Sequence, residues 1–291
     1  MVKRGVPSGR VFLVGILAVL LSGCTASRPP EGGQPSTRPW PPSVSGPSTV
    51  TVAPEPRRVA DQLVSVFENG RVEVQYDYVE ALSDGRGFTC GKIGFTTSGT
   101  EVRDVIAAYL ARRPDTPLAR HLPRLSELAT TGSGDTDGLS GFAVDWAAAA
   151  GDPVFQQVQN AAADRLTFDP AVSAARRVGL RSALGVAILF DTAVQHGMGP
   201  DPDGLPALID RATTAAGGQP ATTGVAERQW LLGFLDARAA TLRDAAAPAT
   251  RQVWRESVDR VAALRRLVQA DRHELTPPVD ITVFGGRHVL R

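Results

Sequence analysis

The sequence predicts a mainly α, α+β chain in which two helical lobes and a small β-sheet flank a cleft. Three observations carry this expectation. Val102, Val105, Ile106, Tyr109 and Leu110 form an apolar stripe at helical spacing, and Trp254, Val258, Val261, Leu264 and Val268 form another near the C-terminus. Residues 183–190 are apolar on every side, which places a helix in the interior between the lobes. The β signal is thin, confined to 86–97 and to 279–284.

The N-terminal residues 1–23 are expected to be a signal peptide. Lys3, Arg4 and Arg10 make its positive start, and 11–21 is an apolar run too short to span a bilayer. Leu21-Ser22-Gly23-Cys24 resembles a bacterial lipobox, in which Cys24 is lipidated and becomes the first mature residue. The alternative is an ordinary secretory signal with a chance cysteine. A multiply acylated Cys24 would supply stable attachment to the outer face of the cell membrane. Residues 24–56 are rich in Pro, Ser, Gly and Thr and too poor in apolar side chains to build a core, so they read as an extended tether.

Residues 57–291 are long enough for one sizeable domain or two lobes sharing a cleft. The whole chain carries 31 Lys and Arg against 30 Asp and Glu. Without Lys3, Arg4 and Arg10 the mature chain is near −2, which disfavours a nucleic-acid partner. Of the two cysteines, Cys24 is assigned to lipid. Cys90 is then alone, read as a small buried thiol and not as a nucleophile. The four histidines lack metal-ligand spacing and no phosphate-binding glycine loop occurs, so no cofactor or metal is expected. Proline-containing breaks at 114–117, 200–206 and 277–278 separate the helices, one of which is expected over 101–112.

The most informative stretch is 67–95. Glu68 ends an apolar helical run, Leu63-Val64-Ser65-Val66-Phe67, just before Asn69-Gly70. Asp84 opens the turn Asp84-Gly85-Arg86-Gly87, which leads into a hairpin-like segment. Burial raises a carboxyl pKa, whereas an arginine and hydrogen bonds keep one low. Two acids in such contrasting settings can divide the work of glycosidic bond cleavage between proton donor and base. Alone, the pair is weak evidence, since most such pairs are solvated surface charges.

The fuller pattern is specific. Glu68-Asn69, then Gln75-Tyr76-x-Tyr78-x-Glu80, then D-G-R-G-F-T-x-G-x-I-G-F over 84–95 closely resembles the catalytic segment of the family 46 glycoside hydrolases, the chitosanases. The resemblance continues in order through 145–150, 154–160, 168–173, 190–197 and 233–238, covering roughly 57–291. It implies a lysozyme-like architecture and inverting endo-hydrolysis of β-1,4 bonds between D-glucosamine units of chitosan, a cationic polysaccharide. A monomer is expected.

The resemblance also implies roles. Glu68 matches the general acid, Asp84 the general base and Thr89 the threonine that positions the attacking water. Tyr78 and Arg86 match residues that contact the sugar. Glu101 stands where an Asp is usual, in the position that grips a glucosamine ammonium. Its competing role is to favour the dipole at the start of its helix. Asp191, Arg238 and Arg251 match an internal ion-pair network behind the cleft. His196 is expected either to line the cleft and contact substrate or to cap a helix end. Two other functions compete: a cell-wall muramidase-like hydrolase, and an inactive surface carbohydrate-binding lipoprotein. The carboxylate at 101 and the intact Glu68, Asp84 and Thr89 argue against them.

Overall fold

A computed structural model of the chain describes residues 52–82, 84–246, 248 and 251–291. Cys24, the apolar run at 11–21 and almost all of the tether lie outside the described residues.

Helix α1 (Pro54–Asn69) begins inside the segment expected to be tether, ahead of the boundary placed at 57. The prolines that suggest an extended chain are compatible with a first helical turn, whose amides have no intrahelical acceptor. The helix closes at Gly70, which takes the left-handed conformation (φ 67°) and donates its amide to Val66 O. Val59, Leu63, Val64, Val66 and Phe67 are buried, and Glu68 is buried with them.

The first lobe follows. Strands β1 (Val79–Ala81), β2 (Phe88–Cys90) and β3 (Phe95–Thr96) form an antiparallel sheet in sequence order, with Glu80 opposite Thr89 and Cys90 opposite Phe95. Around it lie α2 (Glu101–Leu110), α3 (Leu122–Thr131), α4 (Phe142–Ala149) and α5 (Pro153–Ala163). The 101–112 helix thus stops two residues earlier than expected. Aromatic rings bind this lobe together: Trp146 lies 4.8 Å from Phe155 and 5.9 Å from Phe142, and Tyr109 lies 4.7 Å from Phe155. Asp152 caps α5 by accepting the Val154 amide.

Helix α5 runs on through a π-helical turn, Asp164–Phe168, into α6 (Asp169–Val178). The extra residue in such a turn bends a helix without breaking it. Arg57 of α1 meets that turn directly. It pairs with Asp61 and with Asp164 (2.6 Å), and its guanidinium lies 3.5 Å from the Phe168 ring centroid.

The second lobe is built on α7 (Ala183–His196), buried along its length from Leu184 onward as its all-round apolarity predicts. Ser182 caps it, accepting the Gly185 amide. Helices α8 (Leu205–Ala216), α9 (Pro220–Thr223), α10 (Glu227–Arg243), α11 (Arg251–Glu256) and α12 (Val258–Gln269) complete the lobe, with α10 packing on α8 and α12, and α1 on α7. The C-terminal apolar stripe is therefore shared by two helices that break at Ser257. The 279–284 signal resolves into a hairpin of β4 (Val279–Val283) and β5 (Gly286–Leu290) that packs against α12 and α1. Among the described residues no helix is long and apolar enough to cross a membrane.

Candidate active site

Glu68 occupies the last turn of α1 and is 3% exposed. Its Oε1 accepts a hydrogen bond from Arg260 Nη2 at 2.6 Å. Burial pushes its carboxyl above the usual range, and Asp191 adds to the rise; the Arg260 charge and hydrogen bond oppose it without cancelling it. The result is a carboxyl that holds its proton to a higher pH than an exposed glutamate does.

Glu68 belongs to a buried cluster of two acids and two arginines, completed by Asp191, Arg238 and Arg260. Arg238 Nη1 pairs with Asp191 Oδ2 at 2.6 Å, and Arg260 Nη2 stands 3.5 Å from Asp191 Oδ1. Both guanidinium groups are fully buried. Arg238 also donates to Gln195 Oε1 at 2.7 Å, and the Gln195 amide donates to Ser257 Oγ at 2.7 Å. Charge balance explains why four ionisable side chains tolerate this interior: each arginine has a carboxylate beside it.

The expected members of this network need two corrections. Arg251 is not part of it. Its guanidinium points to the chain just before it and donates to the carbonyls of Ala245 (2.7 Å) and Ala246 (3.4 Å). Arg260 takes the place assigned to it, because α12 turns residue 260 onto the same face as Leu264 and Leu267. Residue 260 lies one turn before Leu264 and two before Leu267, and an arginine buried on that face needs a buried anion.

His196 is the second correction. It is 3% exposed and neither lines an open surface nor caps α7. Its ring packs 4.6 Å from the Trp254 ring centroid. Nδ1 bonds to Asp203 O at 2.9 Å, and Nε2 faces Arg238 Nε at 3.3 Å. Burial and then the Arg238 charge hold its pKa well below the usual value. The neutral ring fits these partners with Nδ1 donating and Nε2 accepting. Every face of α7 is buried, so its last residue is buried too.

Asp84 lies in the exposed turn between β1 and β2. Arg86 closes on it from two directions. The Arg86 amide donates to Oδ1 at 3.0 Å, while Nε (2.9 Å) and Nη2 (2.5 Å) reach Oδ2. Partial burial pushes the Asp84 carboxyl up, but the Arg86 hydrogen bonds and charge outweigh it and hold the group below its ordinary value. Gly85 (φ 82°) and Gly87 (φ 74°) supply the left-handed backbone that this tight closure requires.

Thr89 is fully buried on β2, and its hydroxyl has no hydrogen-bond partner among the described residues. Tyr78, beside it on the approach to β1, donates to Glu80 Oε2 at 2.9 Å; burial and this acceptor raise its pKa. Cys90 is buried, and burial pushes its thiol well up, so it is no nucleophile.

Glu101 begins α2. Its side chain folds back over Gly99, where a Cβ would overlap Oε2. Oε2 is buried without a hydrogen-bond partner. Burial raises its carboxyl pKa, and its own backbone amide offsets part of that rise. The contact with the helix-start amide is the dipole-supporting arrangement.

Together, the structure gives one buried carboxyl whose pKa is raised and one exposed carboxylate whose pKa is lowered. Comparison with known proteins agrees with that chemistry. The sequence model of Glycosyl hydrolase family 46 matches residues 62–279. A chitosanase of Bacillus subtilis (strain 168) is 43% identical over 225 residues, which cover 77% of this chain and 81% of that protein. The Gynuella sunshinyii chitosanase in complex with chitotetraose is 41% identical with a TM-score of 0.77, covering 83% of this chain and 99% of that one. A mutant chitosanase from Bacillus subtilis MY002 complexed with 6 GlcN is 40% identical, also with a TM-score of 0.77, covering 83% of this chain and all of that one (100%).

Proposed function

The chain belongs to glycosyl hydrolase family 46, and on that premise we propose that it hydrolyses internal β-1,4 bonds between D-glucosamine units of chitosan with Glu68 as general acid and Asp84 as general base. It is an endo-acting glycoside hydrolase of chitosanase type. The observation that carries the assignment of roles is the opposed setting of the two carboxyls: Glu68 buried with its pKa raised, Asp84 clasped by Arg86 with its pKa lowered.

Glu68 protonates the glycosidic oxygen as the bond to the leaving sugar breaks. Asp84 takes a proton from a water that attacks the anomeric carbon from the opposite face. The carbon inverts, and no covalent intermediate forms. Thr89, whose buried hydroxyl lacks a protein partner, orients that water. Arg86 keeps Asp84 ionised. Asp191, Arg238 and Arg260 hold Glu68 in place and balance its charge. Tyr78 and Arg86 contact the sugar chain. No metal or cofactor enters any step.

The pH dependence follows from the two directions. Activity is lost as pH falls through the lowered pKa of Asp84, because the base is protonated. It is lost again as pH rises through the raised pKa of Glu68, because the acid is ionised. Side-by-side incubation with chitosan, chitin and peptidoglycan, with product analysis, tests the substrate. Release of oligosaccharides from peptidoglycan instead of chitosan would favour a muramidase.

Glu101 is assigned to a glucosamine ammonium. Glu101→Gln is expected to lower kcat/KM for chitosan by about 1–3 kcal/mol, the range for a hydrogen bond to a charged group. Glu101→Asp keeps activity. Chitosan kinetics and thermal melts on both variants check this. A loss confined to stability would assign Glu101 to the helix start alone.

The enzyme acts as a monomer. The enzyme acts outside the cytoplasm, tethered through lipidated Cys24 to the outer membrane face. The lipobox-like 21–24 and the tether composition support this reading, and metabolic labelling with a fatty acid tests it. A wild-type protein that takes up no label would remove the anchor.

A further inference from the structure

The turn that carries Asp84 is short, exposed and rich in glycine, yet its carboxylate must stand in one place. Part of what holds it comes from its own Arg86. Another part comes from the loop after α3, Gly132-Ser133-Gly134-Asp135-Thr136-Asp137-Gly138, which no expectation from the sequence touched.

This loop lies backbone to backbone against the Asp84 turn. A Cβ built on Gly134 would overlap the Gly85 carbonyl outright and stand 2.8 Å from the Arg86 amide nitrogen. From the opposite side, a Cβ on Gly87 would stand 3.3 Å from Gly134 O. Gly134 does not have the left-handed φ that marks Gly132 (64°) and Gly138 (82°). Its backbone conformation would therefore accept any residue; the space does not.

The loop is anchored from behind. Arg124 of α3 donates to Asp137 O (2.9 Å) and pairs with Asp135 Oδ2 (2.8 Å). Within the loop, Asp135 Oδ1 accepts the Asp137 amide (2.9 Å), Ser133 Oγ accepts the Asp135 amide (3.2 Å), and Leu128 O accepts the Ser133 amide (3.1 Å). A pinned loop thus presents its one side-chain-free contact to the backbone of residues 85 and 86.

The geometry points to Gly134 as a positioning residue for the general base: its bare backbone lets the anchored 132–138 loop buttress the Asp84 turn. This rests on the assignment of Asp84 as base. The contact matters because the Arg86 amide is itself a donor to Asp84 Oδ1 at 3.0 Å. A side chain at 134 pushes on that amide and loosens the grip on the carboxylate. The charged and titratable groups on the neighbouring elements are Arg86 on the turn, Tyr78 just before β1 and Glu80 on it, and Asp135, Asp137 and Arg124 on the loop side. Of these, Arg86 holds the Asp84 carboxylate, and it is the group whose placement the loop controls.

The test is the pH dependence of kcat/KM on chitosan for the full-length enzyme and its Gly134→Ala variant. The acid limb reports the base in the free enzyme. It is expected to move to higher pH as the Arg86 contacts loosen, with kcat reduced by up to about 10²-fold, the scale for a misplacement near 1 Å, and KM little changed. Arg124→Gln keeps every glycine but unpins the loop, and is expected to move the limb the same way by less; it decides the matter if Gly134→Ala does not fold. Gly217→Ala, strained at φ 73° with open space around it at the end of α8, serves as the stability control and should leave the limb in place. Asp84→Asn separates the two claims. If Asp84→Asn retains turnover, the base assignment fails and this inference with it. If Asp84→Asn is inactive while the acid limb is unmoved in Gly134→Ala, or in Arg124→Gln where the alanine variant does not fold, the role of Gly134 is overturned alone.

Discussion

Glu68→Gln is expected to lower turnover of chitosan by about 10²–10⁴-fold, the contribution of general acid catalysis, without unfolding the protein. Glutamine copies the shape of the protonated carboxyl but cannot release a proton. The cluster behind it survives, because Asp191 remains beside both Arg238 (2.6 Å) and Arg260 (3.5 Å). Stability provides a second readout with a definite sign. The folded-state pKa of Glu68 is raised, so the wild-type protein loses stability as pH rises from the ordinary glutamate value through the raised one. The glutamine variant has nothing to ionise there and should not show that loss. A variant that kept more than about a tenth of wild-type turnover would remove Glu68 from the acid role.

Arg260→Met is expected to have the largest effect on stability. The substitution roughly preserves the apolar stem but leaves Glu68 and Asp191 with Arg238 as their remaining guanidinium. Breaking a buried pair by removing one partner costs about 3–5 kcal/mol. For a domain of this size each kcal/mol shifts the midpoint by about 2–4 °C, so the melting temperature should fall by roughly 6–20 °C. Activity carries its own signature. Without the Arg260 charge, the Glu68 pKa rises further and the alkaline limb of the rate profile moves to higher pH. The same change at Arg251, whose guanidinium binds two backbone carbonyls near the surface, should cost less, about 1–3 kcal/mol for hydrogen bonds from a charged group, and leave the limb in place. Thermal melts and pH profiles of the two variants side by side distinguish the network described here from one built on Arg251.

That pair of arginines also shows how far the sequence could be read. The interior helix was legible over 183–190 because nothing there is polar on any face, and Asp191 was legible as buried because it continues that run. Glu68 and Asp84 were legible from local chemistry, an apolar helical approach in one case and a glycine-flanked arginine in the other. Arg260 was missed although it lies on the same face of its helix as Leu264 and Leu267, because the stripe was traced through its apolar residues alone. His196 was left between two exposed roles because a Gln-His-Gly helix end says nothing of what packs over it; Trp254, far along the chain, does. Strands β1 and β5 are short and mix polar with apolar residues, so pairing alone defines them. The Gly134 contact had no local signal at all, since the reason for glycine there is the backbone of residues 85 and 86.

The central claim is that Glu68 and Asp84 act as an acid and a base on opposite faces of the sugar, with water attacking directly. Proton NMR of the first products released from chitosan, recorded before mutarotation equilibrates them, tests this most directly. Direct attack on a β-linkage by water inverts the anomeric carbon, so the new reducing ends should appear as the α-anomer and relax toward the equilibrium mixture. First products in the β form would require a covalent intermediate and a nucleophilic carboxylate, and would contradict the roles assigned to both residues.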